Sequence, residues 1–326
     1  MLQSLEIKNF KRFGHLRFPV LKRANLIAGK NNTGKTGVLE ALLLLLEPRE
    51  FPQSFPTAFR NSDSVGDKSE NVWKWLFRNR ETKTPITISC DSLQHQTFTV
   101  MMIAGERQTG STEFGNFGYR ISFSPATGKT ATTIVARSAL PYGAVVLSTR
   151  PSDPQNDAVD FDRVVLKSQG EEQIESLLRV LEPRLKSVRS IKPFGASLIY
   201  VDVGLKEKIP AFNLGQGFTR LLSIYAETLA SGKKILLIDE IESGLHYSVL
   251  ADIWRGILKL TEQEDVQVFA TTHSYECIRA AHIAFSETLG YDFALHRLEE
   301  EKGEVQVTTY DKESLEASLA NNFEIR

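Results

Sequence analysis

The alternation of apolar and polar residues divides the first 46 positions into a hairpin, a strand and a helix. Residues 4–10 alternate with a period of two and residues 15–20 continue in the same style, which predicts an opening β-hairpin. The apolar run 24–28 leads directly into a glycine-rich segment, and residues 37–46 form a long apolar stretch of helical length. We therefore expect a strand, a loop and a helix in immediate succession.

The middle of the chain mixes loop, strand and helix patterns. Residues 51–67 are rich in Pro, Ser, Asn and Gly and predict a surface loop, followed by a short helix that contains Trp73. Helical periodicity over residues 161–185, interrupted by a glycine and a proline, predicts a helical subdomain. Between residues 85 and 135, alternating segments predict an antiparallel sheet with strands at 86–89, 98–103, 119–123 and 132–135.

The final third alternates regularly between helices and buried strands. Helices are predicted at 221–229 and 249–260, and apolar runs at 234–238 and 266–270 predict strands covered on both faces. Strands that alternate with helices are typical of a parallel sheet. The pattern as a whole predicts an α/β fold.

The segment between the first buried strand and the first helix is a complete phosphate-binding loop. In such a loop the glycines let backbone N–H groups surround phosphate oxygens at a helix N-terminus. The alternative is a turn without a binding function, but the predicted strand before the loop and the predicted helix after it favour phosphate binding. We expect Lys35 to neutralise the β and γ phosphates of ATP, and the Thr36 hydroxyl to hold Mg²⁺. The motif G-x4-G-K-[ST] is matched by Gly29, Lys30, Asn31, Asn32, Thr33, Gly34, Lys35 and Thr36.

Two acids and a histidine follow the buried strands of the final third. Asp239 and Glu240 come directly after the strand at 234–238, and a parallel strand delivers its carboxyl end to the mouth of an α/β sheet. We expect Asp239 to reach the metal through water and Glu240 to polarise the attacking water, although solvated acids at a strand end would look the same in isolation. His273 follows the second strand and is a candidate γ-phosphate sensor.

Composition excludes more than it identifies. The formal net charge of -1 gives no overall attraction to nucleic acid or to an anionic membrane, and Cys90 and Cys277 are too few for a disulfide framework. The N-terminus lacks the pattern of a signal peptide, and the longest apolar stretch, residues 38–46, is too short to span a bilayer. We expect a soluble cytoplasmic protein without a membrane partner.

Taken together and in this order, these segments resemble the ABC-type ATPases, specifically the soluble branch that includes SMC, RecF and OLD proteins. Residues 7–12 are similar to the start of that branch, residues 238–246 resemble the Walker B and D-loop segment of OLD-type ATPases, and His273 resembles their switch histidine. Residues 215–220 occupy the place of the signature motif, with Gly215 where its serine usually stands. No convincing Q-loop glutamine precedes the helical subdomain, and Gln155 is a candidate substitute.

The resemblance implies a P-loop NTPase fold of ABC type and a shared active site. The expected fold is a mixed or parallel central sheet with an antiparallel β subdomain and an inserted helical subdomain. We expect one domain over residues 1–326, with approximate lobes at 1–150, 151–212 and 213–326. Two subunits would associate head to head as a homodimer, and ATP on one phosphate loop would be capped in trans by the partner's signature residues, here Asn213, Gly215 and Gly217.

Several functions remain open within this branch. A transporter subunit would carry the signature Leu-Ser-Gly-Gly-Gln, and a long SMC or repair ATPase would need heptads that are absent here. The candidates are an OLD-like ATPase of bacterial anti-phage defence, a RecF-like DNA repair ATPase, and a slow ATP-binding scaffold. OLD proteins usually carry a C-terminal Toprim nuclease, for which residues 274–326 are too few, and the acids at 299–301 predict a solvated face. We therefore expect a switch that senses or clamps DNA, or a DNA-bound partner, and controls a separate Toprim or other nuclease.

Overall fold

The computed structural model describes most of the chain, with strands and helices in alternating blocks. Its described residues are 1–48, 73–93, 97–104, 117–123, 130–134, 142–149, 153–193, 195–321 and 323–326. The strands are β1 (Leu5–Phe10), β2 (Phe13–Phe18), β3 (Ala24–Gly29), β4 (Ile86–Asp91), β5 (Thr97–Ala104), β6 (Phe117–Phe123), β7 (Thr130–Ile134), β8 (Ala144–Leu147), β9 (Ser187–Ile191), β10 (Leu198–Asp202), β11 (Ile209–Pro210), β12 (Ile235–Ile238), β13 (Gln267–Thr272), β14 (Phe293–Glu301) and β15 (Glu304–Tyr310). The α-helices are α1 (Lys35–Leu46), α2 (Pro154–Val165), α3 (Gly170–Leu178), α4 (Gln216–Ser231), α5 (Leu250–Glu264), α6 (Tyr275–Ser286) and α7 (Lys312–Ala320).

The central sheet has the order β15-β14-β3-β13-β12-β8. Five neighbouring strands run parallel and only β15 is antiparallel to its neighbour, so the predicted parallel sheet of the final third is confirmed and extended. The strand β3, which enters the phosphate loop, lies between β14 and β13 and is buried at all six positions. A strand in the middle of such a sheet is covered by layers on both faces, which explains its unbroken apolar sequence.

Helix α1 lies between the central sheet and a second sheet of order β2-β1-β4-β5-β6-β7. Its residues from Gly37 to Leu46 are all buried, and they share one core with side chains of β1, β2, β4 and β5. A helix covered on all sides needs no polar face, which is why residues 37–46 are apolar almost without interruption. The opening hairpin of β1 and β2 is confirmed as an antiparallel pair.

The second sheet corrects one prediction. Its strands lie at the predicted positions, but β5 pairs with β6 in parallel, so the sheet is mixed rather than antiparallel. Alternation of side chains fixes which face of a strand is buried and carries no information on strand direction. The short helix at Trp73 is confirmed as a 3-10 helix, Trp73–Leu76, whereas the predicted loop 51–67 lies outside the described residues.

The segment expected as a purely helical subdomain also contains strands. Helices α2 and α3 pack beside an antiparallel sheet of order β11-β10-β9, so the expectation for residues 151–212 holds only for its first part. Helix α2 begins at Pro154, earlier than periodicity indicated, because Asp153 caps it by accepting a hydrogen bond from the Gln155 N–H at 2.9 Å. No helix in the described part of the chain combines the length and apolar character that a bilayer crossing requires.

Candidate nucleotide-binding and hydrolysis site

The phosphate loop, the acidic strand end and the histidine lie at one edge of the central sheet. The register pairs Ala28 of β3 with Thr272 of β13, and Ala270 of β13 with Ile238 of β12. All three strands run in the same direction, so the residues that follow them come together. The sequence-based prediction of a common site at the carboxyl edge of the sheet therefore agrees with this geometry.

Two glycines give the phosphate loop its course. Gly29 has φ 155° and Gly34, the N-cap of α1, has φ 101°, a region that residues with a Cβ rarely enter. A Cβ on Gly34 would lie 2.7 Å from the ring of Phe13, and one on Gly29 would lie 2.8 Å from the backbone oxygen of Leu298. Both positions therefore exclude a side chain for two separate reasons, backbone conformation and lack of space.

Lys35 points into the loop that it follows. Its side chain is buried, and Nζ donates to the backbone oxygens of Gly29 at 2.7 Å and Lys30 at 3.0 Å. Burial lowers the pKa of Lys35, and three nearby carboxylates act in the opposite direction: Glu240, Glu242 and Asp239. A desolvated ammonium group inside a ring of backbone groups is suited to binding phosphate oxygens.

Thr36 and Asp239 form the oxygen-rich part of the site. The Thr36 hydroxyl lies 3.2 Å from each carboxylate oxygen of Asp239, whose side chain is buried. Burial raises the pKa of Asp239, while hydrogen bonds from Thr271 and Thr36 lower it. A hydroxyl beside a carboxylate fits Mg²⁺, which accepts one or two protein oxygens when phosphates and waters complete its shell. Among the described residues no group of three or more His, Cys, Asp or Glu side chains could hold a metal ion without such help.

Glu240 is held in an uncommon backbone conformation by the neighbouring strand. Its φ is 42°, and its N–H donates to Thr271 Oγ1 at 2.8 Å, while the same hydroxyl donates to Asp239 Oδ1 at 2.6 Å. A non-glycine residue with positive φ costs about 1–3 kcal/mol and occurs preferentially at functional sites. The Glu240 side chain is 40% exposed and faces the open side of the site, where a carboxylate can accept a proton from water.

His273 lies between two carboxylates. Its Nδ1 is 3.9 Å from Glu240 Oε1 and 3.3 Å from Glu242 Oε1, and half of its side chain is exposed. An imidazole in this position can donate a hydrogen bond to a phosphate oxygen of a nucleotide that is bound to the phosphate loop. The structure therefore brings His273 together with Glu240, as the order of the motifs predicted.

Glu242 is part of the site and was not singled out by the sequence. It is 9% exposed, and its Oε1 accepts hydrogen bonds from Thr272 Oγ1 at 2.7 Å and from the His273 backbone at 2.9 Å. Its Oε2 is buried without a hydrogen-bond partner. The available signal was a third acid in the sequence Asp-Glu-Ile-Glu, which only the fold of the turn directs toward His273.

Two of the three signature residues, Gly215 and Gly217, line a separate cleft. Asn213 belongs to the 3-10 helix Ala211–Leu214, Gly215 is the N-cap of α4 with φ 94°, and Gly217 lies in its first turn. The cleft is lined by the two glycines together with Glu182, Gly244 and His246, among others, and by no residue of the phosphate loop. The same chain therefore does not place these residues on its own phosphate loop. Gln155 lies exposed in the first turn of α2, and its role stays a prediction.

Two family models match the chain. Residues 1–113 match the model described as "AAA ATPase domain", and residues 136–279 match the model described as "AAA domain, putative AbiEii toxin, Type IV TA system". These matches agree with the phosphate loop and the acidic strand end at one sheet edge. The chain is a P-loop ATPase. In an alignment 371 positions long, gaps included, that covers 98% of each protein, the ATPase is 25% identical to an ATP/GTP phosphatase of Helicobacter pylori.

A short stretch of the sequence resembles one further protein, and the fold resembles three solved structures. Fifty residues, 15% of the ATPase, are 44% identical to an uncharacterized protein of Methanocaldococcus jannaschii, of which they cover 23%. The fold is that of SMC heads: a head bound to the C-terminal winged-helix domain of ScpA matches with TM-score 0.58 and 13% identity over 97% of the ATPase and 99% of that chain. The SMC head of Thermotoga maritima matches with TM-score 0.52 and 15% identity over 95% and 99%. A Pyrococcus furiosus head, bound to the C-terminal domain of ScpA, matches with TM-score 0.53 and 12% identity over 98% and 99%.

Proposed function

We propose that the ATPase is a dimeric switch in which each ATP is enclosed by the phosphate loop of one subunit and the signature glycines of the other. The observation that carries this proposal is that one chain keeps its phosphate loop and its signature glycines apart. The phosphate loop lies beside Asp239 and Glu240, whereas Gly215 and Gly217 line a different cleft of the same chain. A second copy related by a two-fold axis would supply each site with its missing half.

Gly217 supports the proposal because its own fold does not require a glycine there. Its φ is not positive, and an added Cβ would lie 3.5 Å from Val249, an ordinary van der Waals distance. Glycine is also a poorer helix former than alanine, so the helix itself gives no reason for a glycine at this position. A close approach by an outside group, such as a nucleotide held by a partner, gives a reason for the missing side chain.

Within one site, each residue has a distinct task in hydrolysis. Lys35 and the backbone of the phosphate loop bind the phosphates, and Thr36 and Asp239 would hold Mg²⁺, whose charge offsets that of the phosphates. Glu240 orients the attacking water and accepts its proton, while His273 contacts the γ phosphate. Glu242 positions His273 through the hydrogen bond to its backbone.

Replacing Glu240 with Gln tests the switch. Glutamine keeps the shape but cannot accept the proton, so E240Q should bind ATP with Mg²⁺, hydrolyse it at least tenfold more slowly and accumulate as a dimer in sedimentation experiments. The exposed Glu262 of α5 provides a matched control, since E262Q should behave like the wild type. An E240Q protein that stays monomeric with unchanged turnover would refute the proposal and would favour the scaffold function.

The nucleotide preference deserves its own measurement because the Helicobacter relative is described as an ATP/GTP phosphatase. The phosphate loop binds the phosphates that ATP and GTP share, so its residues do not distinguish the two. Turnover of both nucleotides should be measured under identical conditions. We expect ATP to be hydrolysed, and hydrolysis of GTP alone would contradict the assignment of ATP as substrate.

For the biological role, we propose control of a separate effector nuclease in bacterial anti-phage defence, triggered by DNA or a DNA-bound partner. The matched model for residues 136–279 names a putative toxin of a toxin–antitoxin system, which supports a defence role over RecF-like repair. Hydrolysis should rise when DNA is added, and the rise should weaken as salt increases. The absence of any response to nucleic acid would shift the trigger to a protein partner.

A further inference from the structure

A buried ion pair joins the turn between β1 and β2 to the helix that follows the phosphate loop. Lys11 Nζ donates to Glu40 Oε2, although the two residues lie 29 positions apart in the chain. The Lys11 side chain is 15% exposed and that of Glu40 is 1% exposed, so water screens the two charges little. Because two charges are costly to remove from water, a buried pair at this place calls for a reason.

The same turn packs directly on the phosphate loop. The ring of Phe13 lies so close to Gly34 and Gly37 that an added Cβ would be 2.7 Å and 3.3 Å from it, respectively. Arg12 Cδ would lie 3.3 Å from a Cβ on Gly34. Gly34 is the N-cap of α1, where backbone N–H groups can converge on phosphate oxygens. The position of the turn therefore limits the conformations that the loop can adopt.

The turn is fixed from two sides. Lys11 and Asn9 have φ 53° and 54°, a region in which non-glycine residues persist only where the surrounding structure enforces it. On one side, the Lys11 N–H donates to the Leu76 backbone oxygen at 2.6 Å, and Asn9 Nδ2 donates to that of Thr84 at 2.5 Å. On the other side, the ion pair with Glu40 ties the turn to α1.

Glu40 lies on the side of α1 that carries Thr36. The two residues are four positions apart, which places them one above the other on a helix. Burial is the main reason that the pKa of Asp239 is raised, and the charges of Glu240 and Glu40 act in the same direction. Lys11 therefore compensates a negative charge close to the oxygens that would hold Mg²⁺.

We propose that Lys11 and Glu40 form a positioning pair for nucleotide binding, which fastens the turn to the second turn of α1 and keeps the phosphate loop in the shape that accepts ATP. Without the pair, the loop has to be ordered when ATP binds, and this cost lowers the affinity. The chemical step depends on Glu240 and His273, which follow other strands, so kcat should change little. The proposal concerns ATP binding to one chain and holds whether or not the protein dimerises.

Titration with a fluorescent ATP analogue and Mg²⁺, combined with steady-state hydrolysis, tests the pair. K11M and E40Q should each weaken binding at least fivefold, with kcat at saturating ATP within about twofold of the wild type. K11R keeps the charge and should bind the analogue like the wild type. If the two residues act as one unit, K11M/E40Q should bind no more weakly than the weaker single variant.

A second ion pair on the same helix provides the matched control. Lys233 Nζ lies 3.0 Å from Glu47 Oε1 at the C-terminal end of α1, away from the phosphate loop. K233M and E47Q should therefore bind the analogue like the wild type.

Circular dichroism establishes that each variant is folded; should K11M not fold, K11M/E40Q, which buries neither charge, decides in its place. Four results would overturn the proposal: unchanged binding in folded K11M/E40Q, equal weakening in K233M, fully additive losses in K11M/E40Q, or a fall in kcat as large as the fall in affinity.

Discussion

At the scale of single residues, Thr271 connects the two acids of the site. Its hydroxyl accepts a hydrogen bond from the Glu240 N–H and donates one to Asp239, so one buried group fixes the backbone of the proposed water-activating residue and the carboxylate beside Thr36. Nothing in the sequence marks Thr271 for this task, because the contact depends on the pairing of two strands that lie apart in the chain. The acids themselves were predictable from their place after an apolar strand.

Replacing Thr271 with Val should therefore lower the rate of ATP hydrolysis by more than the accompanying loss of stability explains. The change leaves the Glu240 N–H unsatisfied, at a cost of about 1–3 kcal/mol in the free energy of unfolding, and kcat should fall at least tenfold. Thr228 is an equally buried threonine whose hydroxyl bonds only to the Ile224 carbonyl of its own helix. T228V should keep the wild-type kcat, and an unchanged kcat in T271V would show that the bridge is dispensable.

His296 makes stability depend on pH. Burial lowers the pKa of His296 to about 3, and its Nε2 lies 3.3 Å from Asn25 Oδ1, inside the central sheet. The unfolded chain takes up this proton below a pKa of about 6.5 while the folded chain does not, so stability is lost as pH falls from that value toward 3. Between about pH 7.5 and pH 5 the loss from this group is about 2 kcal/mol.

Urea unfolding of the wild type and H296Q at both pH values isolates this contribution. Groups other than His296 affect the two proteins alike, so the difference in unfolding free energy between them should shrink by about 2 kcal/mol at the lower pH. A difference that stays constant with pH would mean that His296 is protonated in the folded protein.

At the scale of elements, the phosphate loop and α1 were the most predictable part of the chain. A buried strand, a glycine-rich turn and an apolar helix are all local in sequence, and each is encoded by its own composition. The less predictable elements depend on distant partners: the parallel pairing of β5 with β6, the small sheet after α3, and the hairpin of β14 and β15. Short strands without helices between them leave too weak a pattern to specify order or direction.

The strain in the loop gives a prediction at this scale. G34A adds a Cβ to a residue with φ 101°, where it would lie against the ring of Phe13. G232A adds a Cβ to a residue with φ 66°, where no other atom lies within 4 Å of it. G232A should lose about 1 kcal/mol of stability and bind ATP normally, while G34A should lose more and bind ATP at least tenfold more weakly. Nucleotide titration and thermal melts of both variants provide the comparison. Equal behaviour of the two would mean that the contact with Phe13 does not constrain the loop.

At the scale of the whole molecule, the parallel sheet gathers the catalytic candidates at one edge, and α4 presents the signature glycines at another surface. The sequence could predict that the site is shared only through its resemblance to the ABC-type ATPases, since no local pattern tells whether Gly217 serves its own chain or another. The structure adds a physical reason, because the fold itself has room for a side chain at Gly217.

Mixing two inactive variants tests the shared site most directly. K35A loses its own phosphate contact, and G217D loses the surface that caps a partner's ATP; a heterodimer of the two contains one site with both Lys35 and Gly217 intact. Each variant alone should be inactive, and an equal mixture should recover roughly a quarter of the wild-type ATPase activity, the statistical share of intact sites in a two-fold dimer. A mixture as inactive as its components, or a fully active G217D, would contradict a site shared between two subunits.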